Sequence, residues 1–231
     1  MTSGLVMLGY VCMHLANHIL GIVSLALAEA GLRVSMAVWH STPGTLALYG
    51  AFVVHFSLAL RTIYQRRHWQ LPATEWIRLW SGFSLPLLLI GHAVSTRVAA
   101  SFYGFEPSYE KIISGLIAGG SQGWQVALLA PGWVHGCLGL WIALRHFAVM
   151  QRLRSVLIGV LITVPLLSAV GFLRMSVDVE AREATVSAHA SEQKRRAAPL
   201  AQWRHALLTI YLLTVAGAYA AGRWRARYIP E

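Results

Sequence analysis

Residues 123–148 read GWQVALLAPGWVHGCLGLWIALRHFA, with no Asp, Glu, Lys or Arg before Arg145. A stretch this long and apolar is typical of a helix that crosses a bilayer, which needs about 20 residues at a rise of about 1.5 Å each. His135 lies in its middle, where an ionisable side chain is costly and usually faces a bundle interior or a functional site. The stretch therefore predicts a transmembrane helix whose histidine has a function.

The rest of the chain has the same composition. Hydrophobic residues make up 56% of the chain and charged residues 12%, against roughly 25% charged residues in soluble domains. We predict an all-α, polytopic membrane protein, a single domain in which six transmembrane helices form a bundle. A short surface helix is predicted around 108–118, and residues 177–201 predict a solvated helix or a loop. The predicted spans are 4–28, 43–64, 76–100, 123–148, 155–176 and 202–222.

The positive charge of the chain is explained by its topology. The formal net charge is +10, but the arginines cluster at the ends of apolar blocks, which argues against a nucleic-acid partner. With the N-terminus inside, the short connections 61–78 and 145–154 and the tail 223–231 are rich in Arg. Basic residues in short loops mark the cytoplasmic side. We therefore expect both termini to be cytoplasmic and the lipid bilayer to surround the bundle.

Histidines lie deep in four consecutive predicted spans: His14 and His18 in the first, His55 in the second, His92 in the third and His135 in the fourth. A single buried histidine often satisfies a hydrogen bond between helices, but four such spans together predict two bis-histidine haems between helices one to four. Cys12 and Cys137 belong to no C-x-x-C-H run. The haems are therefore expected to be b-type and held without covalent links.

Counting residues along each helix gives the pairing. His92 is 14 residues from Arg78 and His18 is 14 from Gly4, so both lie about 21 Å from the expected inner end. This depth favours His18 with His92 at one iron, and His55 with His135 at the other. His14 lies one turn below His18 on the same helical face. Whichever of these two does not ligate is expected to bond a haem propionate or a quinone.

Other residues are expected around the cofactors. Cations near the bilayer edge suit anionic propionates, and small residues let a flat porphyrin approach a helix. A quinone is the natural lipid-soluble partner of such haems, and interfacial aromatic residues are candidates for its site. The candidates are Arg97 for the outer haem; Arg61 and Arg145 for the inner one; Gly91 and Gly136 for packing; and Trp133, Trp124, Tyr103 and Tyr49 for quinone.

The motifs around these histidines resemble a known family. The run His14-Leu15-Ala16-Asn17 resembles the first-helix ligand motif of the dihaem cytochrome b anchors of succinate dehydrogenases and fumarate reductases, which favours His14 over His18. A closer resemblance is to the six-helix anchor of bacterial class III adenylate cyclases. It is carried by HLANHILG at 14–21, GH at 91–92, TRVA at 96–99, YGF at 103–105 and SYE at 108–110.

The resemblance implies a bacterial inner-membrane protein that senses the quinone redox state and regulates an attached adenylate cyclase. Its cytoplasmic partner would be a cyclase or a ferredoxin-like iron–sulfur domain encoded after Glu231, and cyclase catalysis would call for a homodimer. The chain itself, which lacks cyclase residues, is predicted not to be an enzyme. The alternatives are an electron-transfer cytochrome b subunit of a respiratory complex, and a haem-free transporter or receptor that uses the histidines as a polar site.

Overall fold

The computed structural model describes residues 1–228 and every side chain among them except those of 183–194. The described part is all-helical, and no strand occurs in it. Six helices are long and apolar enough to cross a membrane, so the chain has the architecture of a multi-pass membrane protein. The helices are α1 (Thr2–Leu20), α2 (Leu25–Trp39), α3 (Thr42–Gln65), α4 (Ala73–Ala93), α5 (Ala99–Tyr103), α6 (Tyr109–Ala118), α7 (Gln122–Leu144), α8 (Ala148–Arg152), α9 (Arg154–Glu180) and α10 (Glu183–Tyr228).

The first span is shorter than the predicted 4–28, because α1 ends at Leu20 and a turn separates it from α2. Ser24 caps the new helix, its hydroxyl accepting a hydrogen bond from the Leu27 N–H. The side chain of Asn17 then donates to Ser35, and α2 runs back along α1. The indole of Trp39, at its end, donates to the sulfur of Met13 at 3.3 Å. The apolar run continues through the turn, and this is why its hydrophobicity predicts one long helix.

Two glycines bring α1 and α9 into backbone contact. A Cβ built at Gly171 would overlap the carbonyl oxygen of His18, and one built at Gly21 would lie 2.8 Å from the carbonyl oxygen of Gly171. Three residues before Gly171 on α9, the Ser168 hydroxyl donates a hydrogen bond to the Leu15 carbonyl oxygen at 3.1 Å. Small residues at a helix interface permit such close approach in membranes. The contact fixes the height of the α1 histidines relative to α9.

The third span continues beyond the predicted 76–100. A π-helical segment, Val94–Val98, joins α4 to α5, and together they form one apolar stretch, Ala73–Tyr103. π-helical turns inside α-helices often occur at functional sites. Here the segment begins two residues after His92 and contains Arg97.

The outer connections are helical. The predicted surface helix around 108–118 is confirmed as α6, which Ser108 caps. The predicted connection 177–201 is helical for most of its length, because α9 extends to Glu180 and α10 begins at Glu183; the side chains of 183–194 lie outside the described part. Tyr109 on α6 is 4% exposed and belongs to a cluster of buried residues from α2, α6 and α9. We call α2 and α6 the cover, since they enclose one end of the bundle without spanning it.

Candidate functional site

A first group of histidines lies beneath the cover. The His14 and His92 rings face each other with their centres 5.8 Å apart, and we call them the outer pair. His18 lies one turn further along α1, with its Nε2 atom 3.3 Å from that of His14. Tyr109 of the cover and Phe172 of α9 contact the His18 ring on its other sides. The outer pair is thus enclosed by a third histidine and two aromatic rings.

A second group joins α3 to α7. The His55 and His135 rings face each other with their centres 6.1 Å apart, and we call them the inner pair. A Cβ built at Gly82 on α4 would lie 2.7 Å from Cε1 of His135. Glycine at position 82 is therefore what lets the His135 ring lie against α4.

The two pairs occupy two levels of the bundle. The start of α1 lies beside the inner pair, since a Cβ built at Gly4 would lie 3.6 Å from the His55 ring. His14 follows Gly4 by ten residues, His92 follows Gly82 by ten, and His135 follows Gln125, the partner of His92, by ten. Ten residues of helix rise about 15 Å. Three helices thus agree that the pairs are separated by about half the roughly 30 Å thickness of a bilayer core.

The same alignment explains why counting residues favours His18 while the ring contact with His92 comes from His14. The residue count from the expected inner helix ends assumes that Gly4 and Arg78 lie at the same height in the bundle. In the structure Gly4 lies at the His55 ring, level with Gly82, which is four residues further along α4 than Arg78. Four residues are about one helical turn, and one turn separates His18 from His14. The geometry therefore agrees with the ligand motif rather than with the depth count.

In both pairs the rings meet edge to face, with their centres 5.8 and 6.1 Å apart. A metal between two imidazole nitrogens at about 2 Å each places the ring centres about 6 Å apart. In each pair, one ring has its Nδ1 atom engaged: His92 donates to the side-chain oxygen of Gln125 at 2.9 Å, and His135 donates to the Arg78 carbonyl oxygen at 3.2 Å. A histidine that donates from Nδ1 presents Nε2 to a metal. The ring separations and the engaged Nδ1 atoms are therefore compatible with a metal between the two imidazoles of each pair.

Histidine pairs, rather than larger ligand clusters, define the candidate site. Among the described side chains, no group of three or more His, Cys, Asp or Glu residues is arranged to hold a metal ion. A tetrahedral zinc site needs at least three protein ligands.

The predicted cationic and packing residues occupy different surroundings. Arg97 donates to the Thr45 hydroxyl at 2.8 Å and lies over the ring of Tyr49, five residues from His92. Arg61 and Arg145 are exposed near the ends of α3 and α7. A Cβ built at Gly136 would lie 2.8 Å from the Leu8 side chain, and one built at Gly91 would meet only Arg204 of α10, at 4.0 Å. Gly136 therefore serves the contact between α1 and α7, and Arg97 is the cation nearest in sequence to an iron ligand candidate.

The four aromatic quinone candidates are also dispersed. Trp133 is 5% exposed, and its indole N–H has no acceptor among the described residues. Trp124 is 54% exposed, and Tyr103 accepts a hydrogen bond from the indole of Trp203 at 3.2 Å. Tyr49 lies beneath Arg97. Trp133 is therefore the candidate with an unused buried donor.

No protein family, curated protein or solved structure matches the chain. The interpretation of the site accordingly depends on its own geometry. Two residues that sequence reasoning did not single out contribute to that geometry: Gln125 and Gly82. Tyr109 also contributes, and the sequence analysis quoted it only as part of the SYE run at 108–110. Gln125 has a recognisable signal, since a polar amide near the start of an apolar span suggests a buried hydrogen bond. Gly82 has none, because its role depends on which helices become neighbours.

Proposed function

We propose that the chain is a dihaem b-type cytochrome of the membrane, with His14 and His92 as the axial ligands of one haem and His55 and His135 as those of the other. The observation that carries this proposal is the presence of two facing imidazole pairs, 5.8 and 6.1 Å between ring centres, about 15 Å apart along three helices. A haem with two axial imidazoles transfers single electrons and has no vacant position for oxygen.

The chain's own residues orient and insulate these centres. Gln125 and the Arg78 carbonyl hold the Nδ1–H of His92 and His135, which would leave Nε2 of each free to bind a metal. Tyr109 of the cover and Phe172 pack on the neighbouring His18, which is 7% exposed. Arg97, five residues beyond His92, supplies a cation for a propionate.

We further propose that the haems exchange electrons with a membrane quinone, and that their redox state controls an adenylate cyclase attached after Glu231. Trp133 supports the quinone site, since a buried N–H without an acceptor is costly and a quinone carbonyl is an acceptor. The helix α10 supports the regulatory route. It touches the inner level, where Tyr211 donates to the Phe83 carbonyl oxygen at 2.6 Å, and it continues to Tyr228 at the opposite end from the cover.

The test is a reduced-minus-oxidised absorbance spectrum of the purified chain, expressed with haem supplied, together with the haem-to-chain ratio. We expect two haems per chain. His135→Ala should remove the inner haem and leave the outer one, whereas His92→Ala should do the reverse. His205→Ala, an exposed histidine on α10, is the matched control and should retain both. A folded, colourless preparation would contradict the proposal and favour a haem-free polar site formed by the same histidines.

A further inference from the structure

We propose that Gln125 is a positioning residue that sets the reduction potential of the outer centre without acting on the inner one. The inference rests on the proposed function, since it concerns the iron ligated by His92. It is carried by a difference between the two histidines that are held at Nδ1: the acceptor for His92 is a side chain, and the acceptor for His135 is the main chain.

Gln125 is well placed for this role. It lies in the first turn of α7, and its Oε1 atom is 2.9 Å from Nδ1 of His92, in a partly buried pair between α7 and α4. The N–H of His92 therefore has a neutral acceptor at a normal hydrogen-bond distance. Because the pair is partly buried between two helices, Gln125 holds a fixed position as the acceptor.

The hydrogen bond influences the metal through the imidazole ring. An acceptor on Nδ1–H makes Nε2 a stronger electron donor, and such outer-shell partners tune both ligand orientation and metal properties. A stronger donor stabilises the oxidised iron and lowers the reduction potential. A stronger acceptor at position 125 should thus lower the potential, and loss of the acceptor should raise it.

The inner pair provides an internal reference. His135 donates to the carbonyl oxygen of Arg78, and the Ser81 hydroxyl lies 3.3 Å from the same Nδ1 atom. Position 125 lies ten residues before His135 on α7, about 15 Å away along the helix. A substitution at 125 that acts through the hydrogen bond should therefore move one potential only.

The experiment is a spectroscopic redox titration of the full chain, comparing wild type with Gln125→Leu and Gln125→Glu. Gln125→Leu removes the acceptor at similar size, and Gln125→Glu replaces it with a stronger one. We expect opposite shifts of one potential, each a tenfold change in the reduction equilibrium, or about 59 mV for a one-electron couple, while the other potential stays constant. Gln122→Leu, the same change three residues earlier on α7, should leave both potentials unchanged.

The outcomes separate this inference from the proposed function. Absence of haem from the wild type would overturn the proposed function. The role of Gln125 would be overturned by any of three results in a protein that holds two haems. The potentials could stay unchanged, they could move in the same direction in both variants, or they could move equally at both centres. If Gln125→Leu loses one haem, Gln125→Glu decides: a lowered potential supports the inference, and an unchanged one contradicts it.

Discussion

The outer and inner histidine pairs are similar in ring separation but differ in what surrounds them. The outer pair lies beneath two non-spanning helices and has a third histidine, His18, which is 7% exposed. The inner pair has no such neighbour among the described residues, although the histidines of both pairs are alike in being partly buried. The start of α1 and the small residue Gly82 shape its surroundings. One bundle can thus hold two similar ligand pairs in unequal environments, which is a means of giving two cofactors different properties.

The largest expected effect is a disruption of the outer histidine pair that leaves the inner pair in place. In Gly171→Ala, the new Cβ overlaps the His18 carbonyl oxygen, so α1 and α9 must separate. Because backbone atoms cannot move aside as a flexible side chain can, we expect the free energy of unfolding to fall by about 3 kcal/mol. The outer haem should be lost before the inner one. Thermal unfolding in detergent and the haem-to-chain ratio provide the measurements.

The control for this change is Gly159→Ala on the same helix, where a Cβ meets nothing within 4 Å. This variant should keep wild-type stability and both haems. Because Gly→Ala by itself favours a helix, equal losses in the two variants would show that the loss does not come from the contact between α9 and α1.

Gly82→Ala should break the inner level with a smaller loss of stability. The added methyl group would lie 2.7 Å from Cε1 and 3.1 Å from Nδ1 of His135, so the ring must tilt and lengthen its bond to the Arg78 carbonyl oxygen. A side chain can yield where a backbone cannot, and we expect a cost of about 1–2 kcal/mol. The absorbance of the inner haem should shift or disappear, while that of the outer haem persists.

Gly50→Ala is the matched control for the inner level. Gly50 lies on α3, five residues before His55, with nothing within 4 Å of a built Cβ. Retention of both haems is expected there. If Gly82→Ala leaves the inner spectrum intact, the close approach of α4 to His135 has no part in holding the ligand.

The sequence is sufficient to predict six apolar, membrane-length helices, because these follow from apolar length, although the bounds of the first and third differ from the predicted ones. The pairing of the histidines around cofactors stays a prediction. The sequence is insufficient to predict how the helices are aligned in height along the bundle axis. The break after Leu20 lies within a continuous apolar run, and the alignment of Gly4 with Gly82 results from contacts between helices that are distant in the chain. A one-turn error in height is enough to exchange His18 for His14.

The smallest expected effect is a pH-dependent change in stability that comes from the cover. The Glu29 carboxylate of α2 accepts a hydrogen bond from the Glu110 N–H of α6 at 3.1 Å, and burial raises the pKa of Glu29 above its ordinary value of 4.5. A carboxyl whose pKa is raised by folding contributes stability below its ordinary pKa, and this contribution is lost as the pH rises through the raised value.

Glu29→Gln retains the acceptor oxygen without the charge. Its Tm should therefore exceed that of the wild type at pH 8 and approach it as the pH falls, while Glu106→Gln, at an exposed glutamate before α6, should match the wild type throughout. The absorbance of the inner haem should not respond to Glu29→Gln at any pH, because Glu29 and Glu110 belong to the cover, whose Tyr109 packs on His18 beside the outer pair. A Tm difference that grows towards acid pH would contradict a raised pKa of Glu29.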